Sequence, residues 1–334
     1  MNDLKFFENK TILVTGGSGS IGSHLVEALL NSPCKSIRVL SNNEHELYLL
    51  QKKYGSNQKL RFLLGDVRDK GRLVIATEGT DIVFHAAAVK HLPLCEFNPF
   101  DAVQTNVIGT QNIIEACISS NVEKFVFIST DKAANPLSTL GATKLLAERL
   151  TIAAMAYRRT LSRPVMYCIR FGNVLGTRGS VLELFYDQIK SNQPITITNN
   201  KMTRFTMTPQ EAVNLILSTV KIAKGGEVFV LKMRVMRIVD LAQAMFELYS
   251  NNPNHQIIEI GVREGEKIHE DLITNEELSR TRDLNDIFVI PSHNTKDYDN
   301  LPLLEINYSS NLIKPMSVSE IKSLLQSMHI DNPY

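Results

Sequence analysis

Short apolar runs alternate with segments of helical spacing through the first half of the chain. Six runs of four or five residues have the apolar, β-branched character of buried strands. The predicted strands are Thr11–Thr15, Ser36–Leu40, Arg61–Leu64, Asp81–Phe84, Lys124–Ile128 and Val165–Ile169. The predicted helices between them are Ile21–Leu30, Glu44–Tyr54, Val103–Ser119 and Gly141–Tyr157. This alternation predicts βαβ units and a parallel sheet that is buried on both faces.

The pattern changes after about residue 175, where the strand candidates become isolated. They are Ile195–Ile197, Glu227–Leu231 and Ile257–Ile260, and the predicted helices around them are Ser180–Ser191, Pro209–Ala223, Val239–Tyr249 and Ser317–Met328. Right-handed crossovers place helices on both faces of a parallel sheet. We therefore predict a doubly wound α/β domain over residues 1–175 and a smaller mixed α/β lobe over residues 176–334, with some of its chain crossing back to the sheet.

Composition narrows the range of partners. The 334 residues correspond to about two domains of roughly 150 residues each. Thirty-six Lys and Arg against 35 Asp and Glu leave a net charge of +1, which gives no electrostatic reason to expect nucleic acid or an anionic membrane. No apolar run approaches the ~20 residues of a membrane span, and residues 1–10 are too mixed and charged for a signal peptide. We expect a cytoplasmic protein.

The cysteine spacing argues against a metal site. The four cysteines are Cys34, Cys95, Cys117 and Cys168, and none belongs to a C-x-x-C pair. We therefore expect no zinc site, no redox motif and no other metal. Reduced, partly buried thiols are the expectation for a cytoplasmic protein.

A glycine-rich loop follows the first predicted strand and opens the first helix. Gly16 permits a tight turn, and Gly19 permits a close approach of backbone amides to a pyrophosphate. Gly22 permits close packing of the helix on the strand. A chance glycine turn is the alternative, but the strand before the loop and the helix after it favour a dinucleotide. The predicted contacts are Gly16, Ser18, Gly19, Ser20, Ile21 and Gly22.

The end of the second strand is expected to select the adenosine ribose. Ser41 stands where an NAD-type acid belongs, and it leaves room for a 2′-phosphate that a carboxylate would repel. Because the acid is missing, the sequence favours NADP. No Arg follows to pair with a 2′-phosphate, so NAD is the alternative. Asn42 contacts the cofactor or only makes the turn. Asp66, beside Val67, reaches the adenine amine or caps the next turn.

Small and polar residues end the fourth and fifth strands, where open α/β sheets bind ligands. Ala86 and Ala87 let the backbone approach a cofactor or serve tight packing. Asn106 bridges the following helix to the site or caps that helix. The segment Ser129–Pro136 carries a hydroxyl, an acid and a base side by side, which suits proton transfer. A solvated surface loop is the alternative.

These motifs together resemble the extended short-chain dehydrogenase/reductases, and within them the UDP-N-acetylglucosamine 4,6-dehydratases of surface-polysaccharide biosynthesis. The resemblance covers roughly residues 8–290. It rests on the segments Thr15–Gly22, His85–His91, Asn106–Thr110, Ser129–Pro136, Gly141–Lys144, Arg170–Val174, Thr177–Ser180, Met202–Phe205 and Arg263–Lys267. The S-T-D-K and M-T-R-F pieces are specific to the subgroup, whereas the whole superfamily shares the glycine loop.

One position departs from the superfamily pattern. The signature Tyr-x-x-x-Lys supplies a tyrosine base for a substrate hydroxyl, but this chain has Leu140 before Lys144. Leucine cannot take a proton. Some dehydratases of the subgroup carry Met at this place, so the resemblance implies that Leu140 is tolerated. It also implies that Lys144 bonds the nicotinamide ribose and places positive charge near the reacting hydroxyl.

The resemblance implies a three-part reaction. First, sugar C4 loses a hydride to the nicotinamide while O4 loses a proton. Next, C5 loses a proton as water leaves from C6. Finally, the hydride returns to C6, which leaves the cofactor unchanged. Lys132 is implied as the C5 base and Asp131 as the C6 acid, with Thr130 bonding O4. We expect burial near the cations Lys144 and Lys90 to lower the pKa of Lys132. We also expect Asp131 to accept the O4 proton.

The resemblance further implies the binding residues and the partner. The implied cofactor contacts not yet named are Lys90, Ser129, Phe171, Asn173 and Val174, and the implied substrate contacts are Lys90, His91, Asn173, Arg178, Ser180, Val181, Thr196, Arg204, Arg263 and Glu266. Arginine forks suit diphosphate oxygens, Glu266 would bond the uridine ribose, and the strand at Thr196 would read uracil. The partner is then a UDP-sugar, and the protein forms a homo-oligomer.

Two alternatives remain. A nucleotide-sugar epimerase would oxidise and re-reduce C4 without losing water. Leu140 and the Asp131–Lys132 pair argue against it, because C4 epimerases rely on the tyrosine. A catalytically silent dinucleotide-binding protein is favoured by Leu140 alone, and the retained Lys132, Lys144 and arginines argue against it.

Overall fold

The computed structural model describes residues 3–158, 163–177, 179–250, 252, 256–293 and 295–328. Within these residues the strands are β1 (Thr11–Thr15), β2 (Ser36–Ser41), β3 (Leu60–Leu64), β4 (Ile82–His85), β5 (Lys124–Ile128), β6 (Val165–Arg170), β7 (Asn173–Val174), β8 (Ile195–Ile197), β9 (Thr203–Met207), β10 (Val228–Leu231), β11 (Arg234–Arg237), β12 (Ile257–Glu259), β13 (Arg282–Leu284) and β14 (Ile287–Ile290). The α-helices are α1 (Ser20–Leu30), α2 (Glu44–Tyr54), α3 (Lys70–Thr77), α4 (Leu92–Phe97), α5 (Pro99–Val103), α6 (Gly109–Ser119), α7 (Thr139–Ala153), α8 (Val181–Lys190), α9 (Pro209–Ile222), α10 (Ile238–Tyr249), α11 (Asn275–Leu278) and α12 (Val318–Ser327).

A nine-stranded sheet in the order β13-β14-β10-β6-β5-β4-β1-β2-β3 forms the centre of the protein. The strands from β10 to β3 are parallel, and β14 runs antiparallel to β10. The strand order reverses between β1 and β4, and such a reversal creates a crevice at the carboxyl ends of the strands. The predicted doubly wound α/β fold is therefore confirmed.

The sheet recruits strands from the second half of the chain. We predicted Glu227–Leu231 as a strand set apart from its neighbours in the second half of the chain, with some of that chain crossing back to the sheet. Strand β10 makes such a crossing, because it pairs with β6 and extends the large sheet. All four of its residues are buried, as expected for a strand covered on both faces. The smaller lobe instead has its own core, to which α8, α10 and α12 contribute. A domain boundary at residue 175 stays a prediction.

The predicted helix Val103–Ser119 is interrupted. Helix α5 ends at Val103, a π-helical turn covers Gln104–Ile108, and α6 begins at Gly109. Such single π turns inside helices are frequent near functional sites.

A buried ion network ties β6 to two helices. Arg170 is 1% exposed and donates hydrogen bonds to both carboxylate oxygens of Glu148 on α7 and of Glu277 on α11. Its Nη1 also donates to the Leu272 carbonyl over 2.8 Å. Because each nitrogen of the Arg170 guanidinium has an acceptor, its charge can be buried.

Among the described residues, no helix is both long enough and apolar enough to cross a bilayer.

Candidate active site

A cavity of about 1000 Å³ runs along the carboxyl ends of the parallel strands. One wall comes from the loops that follow β1 to β6, and the other from α8, β8 and the segment 263–270. Of the predicted site residues, the ones that line it are Gly16, Ser18, Gly19, Ser20, Ile21, Gly22, Ser41, Asn42, Val67, Ala86, Ala87, Lys90, His91, Ser129, Thr130, Lys132, Lys144, Phe171, Asn173, Val174, Ser180, Val181, Thr196, Arg204, Arg263 and Glu266. Asp66, Asn106 and Asp131 do not line it, and Arg178 lies outside the described residues.

The glycine loop forms a cradle at the N-terminus of α1. Gly16 has φ +63°, and a Cβ there would stand 2.7 Å from the backbone of Ala87 at the end of β4. Gly19 is the N-cap of α1 and no side chain caps the helix. The first amides of α1 are therefore not satisfied by a cap, and together with the helix dipole they suit a pyrophosphate.

Hydroxyl and amide groups mark the end of β2. The Ser18 hydroxyl donates to the Ser41 hydroxyl over 2.7 Å, which ties the glycine loop to that strand end. Asn42 donates to Asp66, and Arg68 forms a 2.8 Å ion pair with the same carboxylate. Hydrogen bonds from Arg68 lower the pKa of Asp66 to about 2. The ion pair with Asp66 thus places Arg68 close to the end of β2, where the sequence alone indicates no arginine.

Asn106 faces the backbone rather than the cavity. Its side chain accepts from the Val89 amide over 2.9 Å and donates to the Val89 carbonyl and to the Thr143 hydroxyl. The π-helical turn thus anchors the loop after β4 to α7. Of our two alternatives for Asn106, the structure favours a bridge between helix and site, because its amide is engaged by protein and supports the cavity wall from behind. A direct contact of Asn106 with a cofactor stays a prediction.

His85 is buried behind the cradle. Its Nδ1 lies 2.7 Å from the Thr15 hydroxyl, and its Nε2 lies 3.1 Å from the Thr110 hydroxyl. Burial, and then the charge of Lys144, lower the pKa of His85 to about 3. The imidazole is therefore neutral at any ordinary pH.

Lys144 and Leu140 face the cavity from α7. The Lys144 ammonium donates to the Ile128 carbonyl over 2.6 Å, and burial lowers its pKa to about 8. Leu140, one turn earlier, is 4% exposed and packs with Cys95 and Ala102. The position of the superfamily tyrosine thus presents only apolar surface.

A hydroxyl and two carboxylates surround Lys132 just after β5. The Thr130 hydroxyl donates to Asp131 Oδ1 over 2.7 Å, and Lys132 Nζ lies 3.0 Å from the same oxygen. Asp131 is wholly buried, whereas Thr130 lines the cavity. The second carboxylate is Glu270, whose Oε1 lies 3.4 Å from Lys132 Nζ. Our sequence analysis missed Glu270, since its only signal was its place three residues after the Arg263–Lys267 motif.

The charge state of Lys132 differs from the expectation. Burial alone would lower the pKa of Lys132, but the carboxylates of Asp131 and Glu270 raise it above its ordinary value. Our prediction that burial near Lys144 and Lys90 lowers the pKa of Lys132 was wrong in its net direction, although burial does act in the predicted sense. The acidic neighbours lie at 3.0 and 3.4 Å, and their attraction exceeds the cost of burial.

The arginines of the smaller lobe are used differently from one another. Arg204 is 6% exposed, and its terminal nitrogens donate to the carbonyls of Thr203, Ile268 and Lys267. These bonds hold the segment 266–268. Arg204 also lines the cavity, and its contact with a diphosphate stays a prediction. Arg263 is exposed and lines the cavity. Its guanidinium therefore suits an anionic ligand better than that of Arg204.

Other predicted substrate residues are positioned by local contacts. Lys90 Nζ donates to the Ser20 hydroxyl over 3.1 Å, and the His91 ring packs against Gly179. The Thr196 amide donates to Gln188 Oε1, which holds β8 against α8.

Among the described residues, no group of three or more His, Cys, Asp or Glu side chains is arranged to hold a metal ion.

Related proteins match nearly the whole chain. An uncharacterized membrane protein of Methanocaldococcus jannaschii is 48% identical over 328 residues, which is 97% of this chain and 97% of that protein. A UDP-glucose 4-epimerase of Rickettsia canadensis is 37% identical over 336 residues, again 97% of each chain.

Solved structures match the fold. The X-ray structure of Pen from Bacillus thuringiensis aligns with a TM-score of 0.91 at 42% identity, over 96% of this chain and 98% of that one. The structure of MoeE5 in complex with UDP-glucose and NAD aligns with a TM-score of 0.66 at 25% identity, over 77% of this chain and 87% of that one.

A family model described as polysaccharide biosynthesis protein matches residues 12–292. These residues include the large sheet, except Thr11 at the start of β1, and both walls of the cavity. The chain therefore belongs to the polysaccharide biosynthesis protein family and has the Rossmann-type fold of nucleotide-sugar epimerases and dehydratases.

Proposed function

We propose that this protein is a UDP-N-acetylglucosamine 4,6-dehydratase that forms a UDP-4-keto-6-deoxy-N-acetylhexosamine. The observation that carries the proposal is the Thr130–Asp131–Lys132 arrangement, in which a hydroxyl at the cavity surface is bonded to a buried carboxylate beside an ammonium group. Such a site can accept a proton from one substrate atom and exchange another at a neighbouring atom.

The cradle supports a bound nicotinamide dinucleotide, with NADP as the prediction and NAD as the alternative. The close approach at Gly16 and the uncapped start of α1 fit a pyrophosphate, and Lys144 would bond the nicotinamide ribose. A bound dinucleotide would supply the hydride acceptor for sugar C4 and the hydride donor for C6. The complex of the neighbour MoeE5 with NAD supports the class of cofactor.

The first proton leaves sugar O4. Because Leu140 cannot accept it, the Thr130 hydroxyl takes the O4 proton as its own proton passes to Asp131 Oδ1, 2.7 Å away. Thr130 is unchanged by this relay, and Asp131 ends protonated. Lys144 favours the step because its positive charge stabilises the developing oxyanion.

The second proton leaves C5, which the new 4-ketone makes acidic. Lys132 Nζ removes it as a neutral amine, and the C6 hydroxyl leaves as water with the proton that Asp131 holds, passed back through Thr130. Lys132 later returns its proton to C5. Each group then has its starting proton, and the sugar has lost one water.

The UDP moiety would bind the smaller lobe. Arg263 supplies an exposed guanidinium on the cavity wall, Glu266 lies beside it, and Thr196 stands on β8 for the base. The neighbour MoeE5 binds UDP-glucose, which supports a UDP-sugar as ligand.

A UDP-glucose 4-epimerase is the second candidate, because relatives at 37% identity carry that name. The purified protein incubated with UDP-N-acetylglucosamine, followed by mass spectrometry and chromatography, separates the two. A product lighter by one water supports the dehydratase. A product of unchanged mass that separates as the 4-epimer supports the epimerase, and an unchanged sugar on a protein that holds dinucleotide contradicts both for this substrate.

A further inference from the structure

Glu270 is a buried carboxylate in the cavity wall. It is 2% exposed, and its backbone is fixed because its amide donates to the Ser310 hydroxyl and its carbonyl accepts from the Ser310 amide, each over 2.8 Å. Its Oε1 faces Lys132 Nζ at 3.4 Å and Arg204 Nε at 3.7 Å. Its Oε2 is buried and has no hydrogen-bond partner among the described residues.

Lys132 lies between two carboxylates that both favour its charged form. Its Nζ is 3.0 Å from Asp131 and 3.4 Å from Glu270. A lysine can remove a proton from carbon only as the neutral amine, because the ammonium ion has no lone pair. The site therefore needs a group that takes the proton of Lys132 before the C5 step.

Asp131 is poorly suited to this task. Its Oδ1 already accepts the Thr130 hydroxyl, and in the proposed function it holds the proton from O4. Glu270 has no such commitment and lines the cavity. Burial, and then the negative charge of Asp131, raise the pKa of Glu270, which favours its protonated form. Asp131 Oδ2 is also buried without a hydrogen-bond partner among the described residues, but in the proposed function that carboxyl group already takes up the O4 proton. Protonation relieves the unpaired Oε2 of Glu270 in the same way.

We propose that Glu270 accepts the ammonium proton of Lys132, so that Lys132 becomes the neutral base that attacks the C5 hydrogen. This inference rests on the proposed function. The N–H bond of Lys132 breaks, an O–H bond forms on Glu270, and the electron pair remains on Nζ. The pair of residues keeps its total charge. When Lys132 has returned its proton to C5, Glu270 waits protonated for the next turnover or gives its proton back to Lys132.

The test compares two partial reactions in Glu270→Gln. One is reduction of the bound dinucleotide by UDP-N-acetylglucosamine, followed by absorbance, and the other is deuterium entry at C5 in deuterated water. We expect C5 exchange at neutral pH to fall by about 100-fold or more, while dinucleotide reduction stays within about threefold of wild type. The lost exchange returns as pH rises, because solvent then removes the Lys132 proton. Glu270→Asp keeps a carboxyl group and regains part of the exchange.

Glu276→Gln is the matched control, since Glu276 is exposed on α11 and the same change there leaves both partial reactions intact. Exchange in Glu270→Gln that stays near the wild-type rate overturns the inference, as does a parallel loss of both reactions with no recovery at high pH. If Glu270→Gln fails to fold, Glu270→Asp decides: exchange must slow while reduction continues, and unchanged exchange overturns the inference. Wild-type protein that shows no C5 exchange means that the proposed function itself fails.

Discussion

The Thr130 hydroxyl donates a 2.7 Å hydrogen bond to Asp131 Oδ1 at the carboxyl end of β5. Thr130 lines the cavity, but Asp131 is 0% exposed. A proton can therefore pass from a ligand through the Thr130 hydroxyl to the Asp131 carboxylate, although the ligand does not touch that carboxylate. This contact offers a route for the O4 proton in a protein whose Leu140 replaces the usual tyrosine.

Removing the Thr130 hydroxyl is expected to stop the relay. In Thr130→Val the shape of the side chain is kept, and we expect reduction of the bound dinucleotide by the sugar to slow by about 100-fold or more. Thr130→Ser retains the hydroxyl and should stay within about tenfold of wild type. Rapid-mixing absorbance measures both rates. A valine variant as fast as the serine variant would show that another group takes the O4 proton.

The rate of dinucleotide reduction is expected to fall as the pH rises through about 8, the value to which burial lowers the pKa of Lys144. Above it Lys144 loses the charge that stabilises the sugar oxyanion. Lys144→Met lacks this charge at every pH, so its slow rate should show no fall near that point. An unchanged alkaline fall in Lys144→Met would assign the titration to a different group.

His85 is expected to make the fold sensitive to acid. Its pKa is about 3 in the folded protein against an ordinary value of 6.5, so below 6.5 the unfolded chain binds a proton that the folded protein cannot. The free energy of unfolding is therefore unaffected by the titration of His85 well above pH 6.5, and it decreases progressively as the pH falls from 6.5 towards 3. Between about pH 7 and about pH 5 the decrease amounts to about 2 kcal/mol of unfolding free energy.

Urea unfolding of wild type and His85→Gln at these two pH values checks this expectation. Glutamine can still bond Thr15 or Thr110 but does not titrate, so the variant should lose about 2 kcal/mol less between the two conditions. Equal losses in the two proteins would count against a neutral, buried imidazole.

The ion network at Arg170 is expected to be essential for stability. Arg170→Met leaves the carboxylates of Glu148 and Glu277 buried without their partner, and should lower the free energy of unfolding by about 3–5 kcal/mol. The matched control is Arg237→Met, because Arg237 pairs with Asp240 but is 51% exposed, and should cost less than about 1 kcal/mol. Denaturant titration measures both, and similar losses would contradict the distinction.

The large sheet was predictable wherever a strand is a continuous apolar run between helical segments, as in β1 to β6. The run of β10 was recognised as well, but its sequence carries no information about which sheet it joins. Strand β9 was missed because only Phe205 and Met207 of its five residues are apolar, although all five residues are buried. Its polar side chains are satisfied by distant partners, as Thr203 is by Ser310.

The site residues were predictable where one short segment of sequence carries all the groups of a motif. The glycine loop and Thr130–Lys132 are local motifs, and they line or adjoin the cavity in the structure. The direction of the pKa shift of Lys132 was not predictable from the motif alone, because it depends on Asp131 beside it and also on Glu270 from a distant part of the chain. The use of Arg204 was not predictable either, since the backbone carbonyls and the carboxylates that engage it come mostly from the distant segment 266–270.

The most direct test of the proposed function follows one hydrogen atom. UDP-N-acetylglucosamine carrying deuterium at C4 is incubated with the purified protein in ordinary water, and the product is analysed by NMR and mass spectrometry. The account predicts loss of one water and a C6 methyl group that carries the deuterium. Deuterium that returns to C4 in a sugar of unchanged mass would contradict the dehydratase and identify an epimerase.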